Sequence, residues 1–250
     1  MKKISLLSTA FVLFTLSSQA QFGNILRKAT SDSSAKGVLN KALKTNATSS
    51  LSTDEIAAGL KEALNKGTQV GTQKLSAVDG FFKDAAVKIL LPQEAQKVES
   101  TLRNLGMGNL VDNAILSMNR AAEDAAKSAA PIFLNAIKQM TINDALSILR
   151  GNDLAATNYL KDKTSSPLTE AFRPIIESSL QKVNATKYWN TLFTTYNRFN
   201  PNKVNPDLSA YVTEKALTGI FYQVGQEEQK IRKDPAARTT ELLKKVFSKS

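Results

Sequence analysis

Residues 51–71 read LSTDEIAAGLKEALNKGTQVG, and this stretch decides the fold. Ser52 and Glu55 stand three residues apart at the start of an apolar helical period, which is the spacing of a capping box with Ser52 as N-cap. Leu51 and Ile56 occupy the two positions of a hydrophobic staple around that cap. The stretch therefore predicts that a helix, and with it the folded body, begins here.

The same helix carries a row of small residues at four-residue spacing, which are Gly59, Ala63, Gly67 and Gly71. Residues spaced by four share one face of an α-helix. Phosphate-binding glycines cluster in a loop, whereas these glycines repeat at helical spacing. The row therefore predicts a packing ridge that another helix crosses closely, and not a phosphate-binding site.

Caps, prolines and apolar periods predict further helices along the rest of the body. We expect them at 93–105, at 109–138 with a break or kink near Pro131, at 141–150, from 152 or 153, from Ser166 with Pro167 in its first turn and a kink at Pro174, at 188–199, at 205–233 and at 234–247. The segment 81–91 is ambiguous, because Val87-Lys88-Ile89 alternates like a short strand.

The connections between these helices are short, and no Gly, Ser or Pro linker divides the body. The sequence therefore predicts an all-α protein with a single multi-helix, bundle-like domain over residues 51–250. We expect at most one short extended segment, near residues 86–91.

The first twenty residues have the pattern of a secretory signal peptide. Lys2 and Lys3 precede an apolar run that ends at Leu16, and Ser18 and Ala20 are the small residues that place cleavage before Gln21. The run is shorter than the roughly 20 residues of a spanning helix, and no later segment approaches that length. We expect export without a transmembrane segment, to the periplasm, with full secretion or peripheral attachment to the envelope as alternatives.

Residues 21–50 are rich in Ser, Ala and Lys, and this composition predicts a mobile basic arm. The whole chain carries a formal net charge of +11, and the arm is among its most basic parts. Such an arm suits anionic lipid or envelope glycan, although a solvated, solubilising surface is the more frequent cause of such a basic run. Nucleic acid is not expected as a partner, because export separates the protein from most of it.

The chain has neither cysteine nor histidine, which excludes disulfides, thiol nucleophiles, Ser-His-Asp triads and zinc sites built on those residues. We assign no catalytic residue, metal ligand or cofactor. An enzyme would have to use paired carboxylates, as glycoside hydrolases do. The candidates are Asp79, Glu123, Asp144 and Glu228, and Asp144 has a competing role at the third position of the helix that Thr141 caps.

An alanine-rich helix carries the first candidate polar cluster. Local pairing is one reading, with ion pairs between Glu123 and Lys127 and between Arg120 and Asp124. If other helices surround this one, Arg120 and Glu123 are desolvated and need each other, Glu228 and Arg232, or a ligand. The candidate cluster, structural or ligand-binding, is Asn119, Arg120, Glu123, Glu228 and Arg232.

Aromatic residues are concentrated between Tyr188 and Phe199. Trp189, Phe193 and Tyr196 share one helical face. Such a row usually fills a core, but it can also line a pocket. These three residues are the second candidate site.

Several stretches, taken in order, resemble a known family: Met118-Asn-Arg-Ala-Ala-Glu123, Met140-Thr-Ile-Asn-Asp-Ala145 on to Gly151, Ala155-Ala-Thr157 with Tyr159, and Glu227-Glu228 before Ile231-Arg232. The family is a bacterial exported one known as domain of unknown function 4197. The resemblance covers residues 51–247 and implies a protein of the Gram-negative envelope, without a reaction, a cofactor or binding residues. We expect a non-catalytic binding or interaction module, with a hydrolase of envelope glycan or a structural factor without a small-molecule site as alternatives.

Overall fold

The computed structural model describes residues 51–199, 203 and 207–247. The predicted signal peptide (1–20) and basic arm (21–50) lie outside the described residues. Within them, the structure does not describe seven side chains, those of Lys187, Tyr188, Thr191, Leu192, Thr195, Tyr196 and Phe199.

The described part of the chain is helical, without strands, as predicted. Its α-helices are α1 (Thr53–Ser76), α2 (Gln96–Asn104), α3 (Gly108–Ala126), α4 (Ala129–Gln139), α5 (Ile142–Arg150), α6 (Ala155–Lys182), α7 (Ala185–Phe199), α8 (Leu208–Lys233) and α9 (Glu241–Phe247). Short 3-10 turns at Gln93–Ala95 and Pro235–Ala237 precede α2 and α9.

Four long helices, α1, α3, α6 and α8, form the centre of the domain. Helix α8 packs on α6, α1 and α3, and α3 packs on α6 and α1. The shorter helices α4, α5 and α9 lie against α1, and α7 lies against α6 and α8. Alanines allow α3 this central place, since Ala121, Ala122, Ala125 and Ala126 are all fully buried.

Two predicted capping boxes are confirmed. Ser52 Oγ accepts from the Glu55 backbone N–H at 3.2 Å, and the Glu55 carboxylate accepts from the Ser52 N–H at 2.8 Å. Thr141 and Asp144 make the same reciprocal pair at the start of α5, at 3.1 and 2.9 Å. Each box satisfies two backbone donors that a helix start would otherwise leave unpaired.

The prediction of a separate helix starting at Ser166 is wrong. Helix α6 runs unbroken from residue 155 to 182 with Pro167 and Pro174 inside it. A buried row at four-residue spacing continues through both prolines: Ala156, Leu160, Thr164, Leu168, Phe172, Ile176 and Leu180. Burial of this face outweighs the two backbone hydrogen bonds that the prolines remove.

Three other boundaries were predicted only in part. The break expected near Pro131 falls at 127–128, which places Pro131 in the first turn of α4, where its missing N–H costs little. Asp207 caps α8 by accepting from the Ala210 N–H at 2.9 Å, whereas residue 205, at which this helix was expected to begin, lies outside the described residues. The helix expected at 234–247 divides into a 3-10 turn after Asp234 and α9.

The small-residue row of α1 lies under two other helices, as a ridge for close packing should. A β-carbon added at Gly67 would lie 3.5 Å from Glu227 Cβ of α8, and one at Gly59 would lie 2.8 Å from Val246 of α9. Gly219 of α8 is in still closer contact, because its added β-carbon would lie 2.6 Å from the ring of Phe81. Phe81 belongs to the non-helical segment 77–92, which packs here against α8.

Two glycine substitutions should therefore have opposite effects on stability. Gly219→Ala forces a β-carbon against the fully buried Phe81 ring and should lower the free energy of unfolding by about 1–3 kcal/mol. Gly67→Ala meets only ordinary contact and should be neutral or stabilising by up to about 1 kcal/mol, because alanine favours helix. Urea unfolding followed by circular dichroism measures both, and equal effects would contradict the packing described.

Candidate functional site

Asn119 of α3 holds the segment that the sequence left ambiguous. Its Oδ1 accepts from the Ile89 N–H at 2.9 Å, and its Nδ2 donates to the Ile89 carbonyl at 2.8 Å and to the Ile115 carbonyl at 2.7 Å. The side-chain amide thus pairs with both backbone groups of one residue, as a neighbouring antiparallel strand would. Residues 86–91 form no strand, and their alternating pattern is explained by this pairing and by burial of Val87 and Ile89.

Glu123, one turn further along α3, holds the beginning of the same segment. Its Oε1 accepts from the N–H groups of Phe81 and Phe82, both at 3.1 Å, and its Oε2 accepts from Arg120 at 2.6 Å. The carboxylate is buried, and all these donors are the protein's own. Glu123 is therefore fully engaged in fixing this segment on α3.

Arg120 bridges Glu123 to Asp79. Its second amino group lies 2.7 Å from Asp79 Oδ1, while Lys83 Nζ lies 2.8 Å from Asp79 Oδ2. Hydrogen bonds from Lys83 and from Arg120 lower the pKa of Asp79. The hydrogen bonds that Arg120 donates to Glu123 and to Asp79 raise the pKa of Arg120. Asp79 also adopts a positive φ of 69°, so it shapes the turn that leaves α1.

Glu228 and Arg232 of α8 serve the ends of two other helices. The Glu228 carboxylate accepts from the N–H groups of Ala156 and Thr157 at 3.0 and 2.8 Å, and from the Thr157 hydroxyl at 2.8 Å. Leu154, the N-cap residue of α6, supplies no side-chain hydrogen bond, so Glu228 caps α6 in its place.

Arg232 pairs with Glu228 at 2.9 Å and donates to the Ile148 carbonyl at 2.8 Å, at the end of α5. A carboxylate at a helix N-terminus and a guanidinium at a C-terminus both complement the helix dipoles. The pair thereby fastens α5 and α6 to α8.

The structure divides the predicted polar cluster into two. Among the described residues, no hydrogen bond or ion pair joins Asn119, Arg120 or Glu123 to Glu228 or Arg232. The pairs predicted at four-residue spacing on α3 are wrong, since Lys127 binds Asp124 and not Glu123. The alternative, in which Arg120 and Glu123 pair with each other, is confirmed, and Arg120 also binds Asp79. Contacts to the segment before α2 decide the partners, and helical spacing alone does not show those contacts.

A surface groove of about 310 Å³ lies between the segment 86–90 and α8. Along α8 its wall is formed by Tyr211, Lys215, Thr218 and Tyr222, which recur at the i, i+4, i+7 and i+11 positions of one helical face. Asn119 fixes the opposite wall through Ile89. The groove is at the lower end of the roughly 300–1,000 Å³ of small-molecule sites.

The two lysines of this groove, Lys88 and Lys215, are half-buried, and within the described ranges neither has a carboxylate at ion-pair distance. Each ammonium lies over an aromatic ring instead. Lys88 Nζ is 4.2 Å from the centre of the Phe82 ring, and Lys215 Nζ is 5.6 Å from that of Tyr211. A cation held over a ring keeps its charge available to a ligand.

Tyr211 joins the groove to the aromatic residues of α7. Its hydroxyl donates to the Leu90 carbonyl at 2.8 Å, and its ring stacks on Trp189 at 5.9 Å. Burial, aided by the charges of Glu214 and Glu94, raises the pKa of Tyr211 to about 12. Since Tyr211 and Leu90 both line the groove, their hydrogen bond joins its two walls.

The aromatic candidates lie behind the groove and not in its lining. Trp189 and Phe193 are buried and in mutual contact at 4.4 Å between ring centres, and the side chain of Tyr196 lies outside the described residues. The sequence alone did not indicate the groove residues themselves. The polar and aromatic residues that share one face of α8 are the pattern that could have indicated the groove. That pattern predicts a groove only when the segment 86–90 is known to lie opposite.

The described residues contain no group of three or more acidic side chains arranged to hold a metal ion. None of their helices has the combination of length and apolarity that crossing a bilayer requires.

The role of Asn119 can be tested by hydrogen exchange. Asn119→Ala should leave the Ile89 N–H and carbonyl without partners, cost about 1–3 kcal/mol for each unpaired group, and speed exchange of the Ile89 amide. The amides of Phe81 and Phe82, held by Glu123, should keep their protection and serve as an internal control. Asn113→Ala on the exposed face of α3 is the matched variant, and unchanged exchange at Ile89 would refute the role given to Asn119.

Comparison with known proteins places the described domain in a family. Searches of curated proteins and of solved structures each return no match. A family model described as "Protein of unknown function (DUF4197)" matches residues 50–248, which is most of the chain. The chain belongs to the DUF4197 family of proteins of unknown function.

Proposed function

We propose that this protein is exported and acts in the cell envelope as a non-catalytic binding module, with the groove between residues 86–90 and α8 as its ligand site. The observation that carries the proposal is the pair of half-buried lysines in a groove of ligand size. Neither ammonium forms an ion pair within the described residues, and the aromatic ring beside each one leaves its positive charge uncompensated, so the groove presents two cations to an anionic ligand.

The state of the candidate carboxylates supports binding over hydrolysis. Asp79 and Glu123 do come together, but the guanidinium of Arg120 lies between them and pairs with both. A glycoside hydrolase needs one carboxyl group with a raised pKa as its acid, whereas the pKa of Asp79 is lowered.

The other two carboxylates also have structural partners. Glu228 caps α6, and Asp144 is held in its capping box, where hydrogen bonds from Thr141 lower its pKa. None of the four is thus poised as an acid in an open cleft.

Support for an envelope location comes from the sequence alone. An export signal is indicated by the charged start of the chain, the apolar run to Leu16 and the small residues Ser18 and Ala20. The basic stretch 21–50 would then follow the cleavage site and could contact anionic lipid or envelope glycan. The groove supplies a separate site for a small ligand.

Blocking the groove should remove a bound molecule. The full chain is expressed with its own leader in a Gram-negative bacterium, recovered from the envelope and weighed by native mass spectrometry. Wild type should carry non-covalent mass that Thr218→Trp lacks, because the indole fills the groove. Thr169→Trp on α6 is the matched control, since both threonines are exposed and bond to the carbonyl four residues earlier. Equal adducts in all three proteins, or none, would contradict the proposed site.

Export should leave a mature chain beginning at Gln21. Mass analysis of protein from the periplasmic extract should show loss of residues 1–20. Ala20→Leu should block the cut, because a large residue replaces the small one next to it, whereas Phe22→Leu should be processed normally. An uncleaved wild-type chain in the cytosol would refute export.

A further inference from the structure

We infer that the groove binds a phosphorylated sugar, either free or as the headgroup of a lipid, with the phosphoryl group placed between Lys88 and Lys215. This inference rests on the proposed function, because it names the ligand class of the same site. Its evidence is the charge of the groove, its aromatic surface and its size.

The charge of the groove favours a phosphoryl group. Both lysines line the groove, and each has an aromatic ring beneath its ammonium. Glu94 and Glu214 are near enough to act on Tyr211, yet within the described part of the chain neither forms an ion pair with Lys215. Two ammonium groups match the charge of −1.5 to −2 that a phosphate monoester carries near pH 7. Lysine binds phosphate as a point charge.

The remainder of the lining favours a small polar body with one apolar face. Tyr222 is 43% exposed, and it lines the groove together with Thr218. Aromatic rings of this kind stack on planar or ring-shaped ligands, while their hydroxyls bond to polar groups. Opposite them, Val87 and Ile89 supply apolar lining. A sugar ring has this combination of an apolar face and peripheral hydroxyls.

The size of the groove limits the ligand. About 310 Å³ is at the small end for ligand sites, so the groove accommodates one sugar unit and not an extended oligosaccharide. Gly219 belongs to the floor, where its lack of a side chain lets Phe81 and Val87 approach α8. A lipid bearing such a headgroup would place only the headgroup here and leave its acyl chains outside.

The test uses glucose 6-phosphate as the probe and the fluorescence of Trp189, the chain's single tryptophan, as the readout. Trp189 stacks on Tyr211, so a ligand in the groove should alter its emission. We expect saturable binding of glucose 6-phosphate that weakens with ionic strength, and much weaker binding of glucose. Inorganic phosphate alone should also bind less well, because it cannot use the tyrosine surface.

Lysine variants locate the phosphoryl group. Lys88→Gln and Lys215→Gln should each weaken binding about tenfold, the loss expected for one charge-assisted contact. Lys161→Gln, an exposed lysine of α6, should bind as wild type does. Unchanged affinity in both groove variants, or binding of glucose as tight as that of its phosphate, would overturn the inference.

Vesicles distinguish the two sources of the phosphorylated sugar. Phosphatidylcholine vesicles carrying phosphatidylinositol 4-phosphate are compared with plain phosphatidylcholine vesicles in a flotation assay. A lipid headgroup is supported if the protein floats only with vesicles that carry phosphatidylinositol 4-phosphate and if Lys88→Gln and Lys215→Gln weaken that binding. A free ligand is supported if glucose 6-phosphate binds and the same two substitutions weaken its binding. If neither probe binds, the phosphorylated-sugar inference fails. The proposed function still stands if Thr218→Trp removes an adduct seen in wild type, and falls with it if no adduct depends on the groove.

Discussion

The architecture depends on polar side chains of two central helices that satisfy backbone groups elsewhere in the chain. A buried peptide group without a hydrogen-bond partner costs about 1–3 kcal/mol, so a non-helical segment can enter a helical core only when such groups are paired. Helix α3 supplies Asn119 and Glu123 to the segment 77–92, and α8 supplies Glu228 and Arg232 to the ends of α6 and α5. These contacts let short connections pack tightly against long helices without strands or disulfides.

This arrangement separates the residues that hold the fold from those available to a ligand. The buried acids accept from the protein's own donors, and Asp79 and Glu123 share Arg120. The two groove lysines are different, because each lies over an aromatic ring and, in the part of the chain that the structure describes, neither pairs with a carboxylate. Asn119 connects the two groups of residues, since the Ile89 peptide that it fixes belongs to the groove wall. Binding at a prebuilt groove avoids the entropic cost of ordering a loop.

The sequence predicted features whose determinants are local. The capping boxes at Ser52 and Thr141 involve residues three positions apart, and the small row of α1 follows from helical period. Predictions failed where packing against residues distant in the chain determines the structure. Helix α6 is an example, because burial of one of its faces lets the helix continue through Pro167 and Pro174. The polar residues on α3 and α8 were recognised as needing partners, and two ion pairs, Arg120–Glu123 and Glu228–Arg232, do lie within one helical turn. Their backbone partners stand tens of residues away, and no spacing rule identifies those. The groove was missed because it exists only between two segments distant in the chain.

The most direct measurement of this account is the free energy of unfolding of Glu123→Gln and Glu228→Gln, determined by urea titration. Each substitution turns an amide –NH₂ toward donors that now face a carboxylate oxygen, so both variants should be less stable by about 1–3 kcal/mol. Glu177→Gln, on the exposed surface of α6, should change little. An acid that is kept for function at the expense of stability can be replaced with no loss, or with a gain, in the free energy of unfolding. An unchanged or higher free energy of unfolding in both Glu123→Gln and Glu228→Gln would contradict the structural role assigned to the two acids.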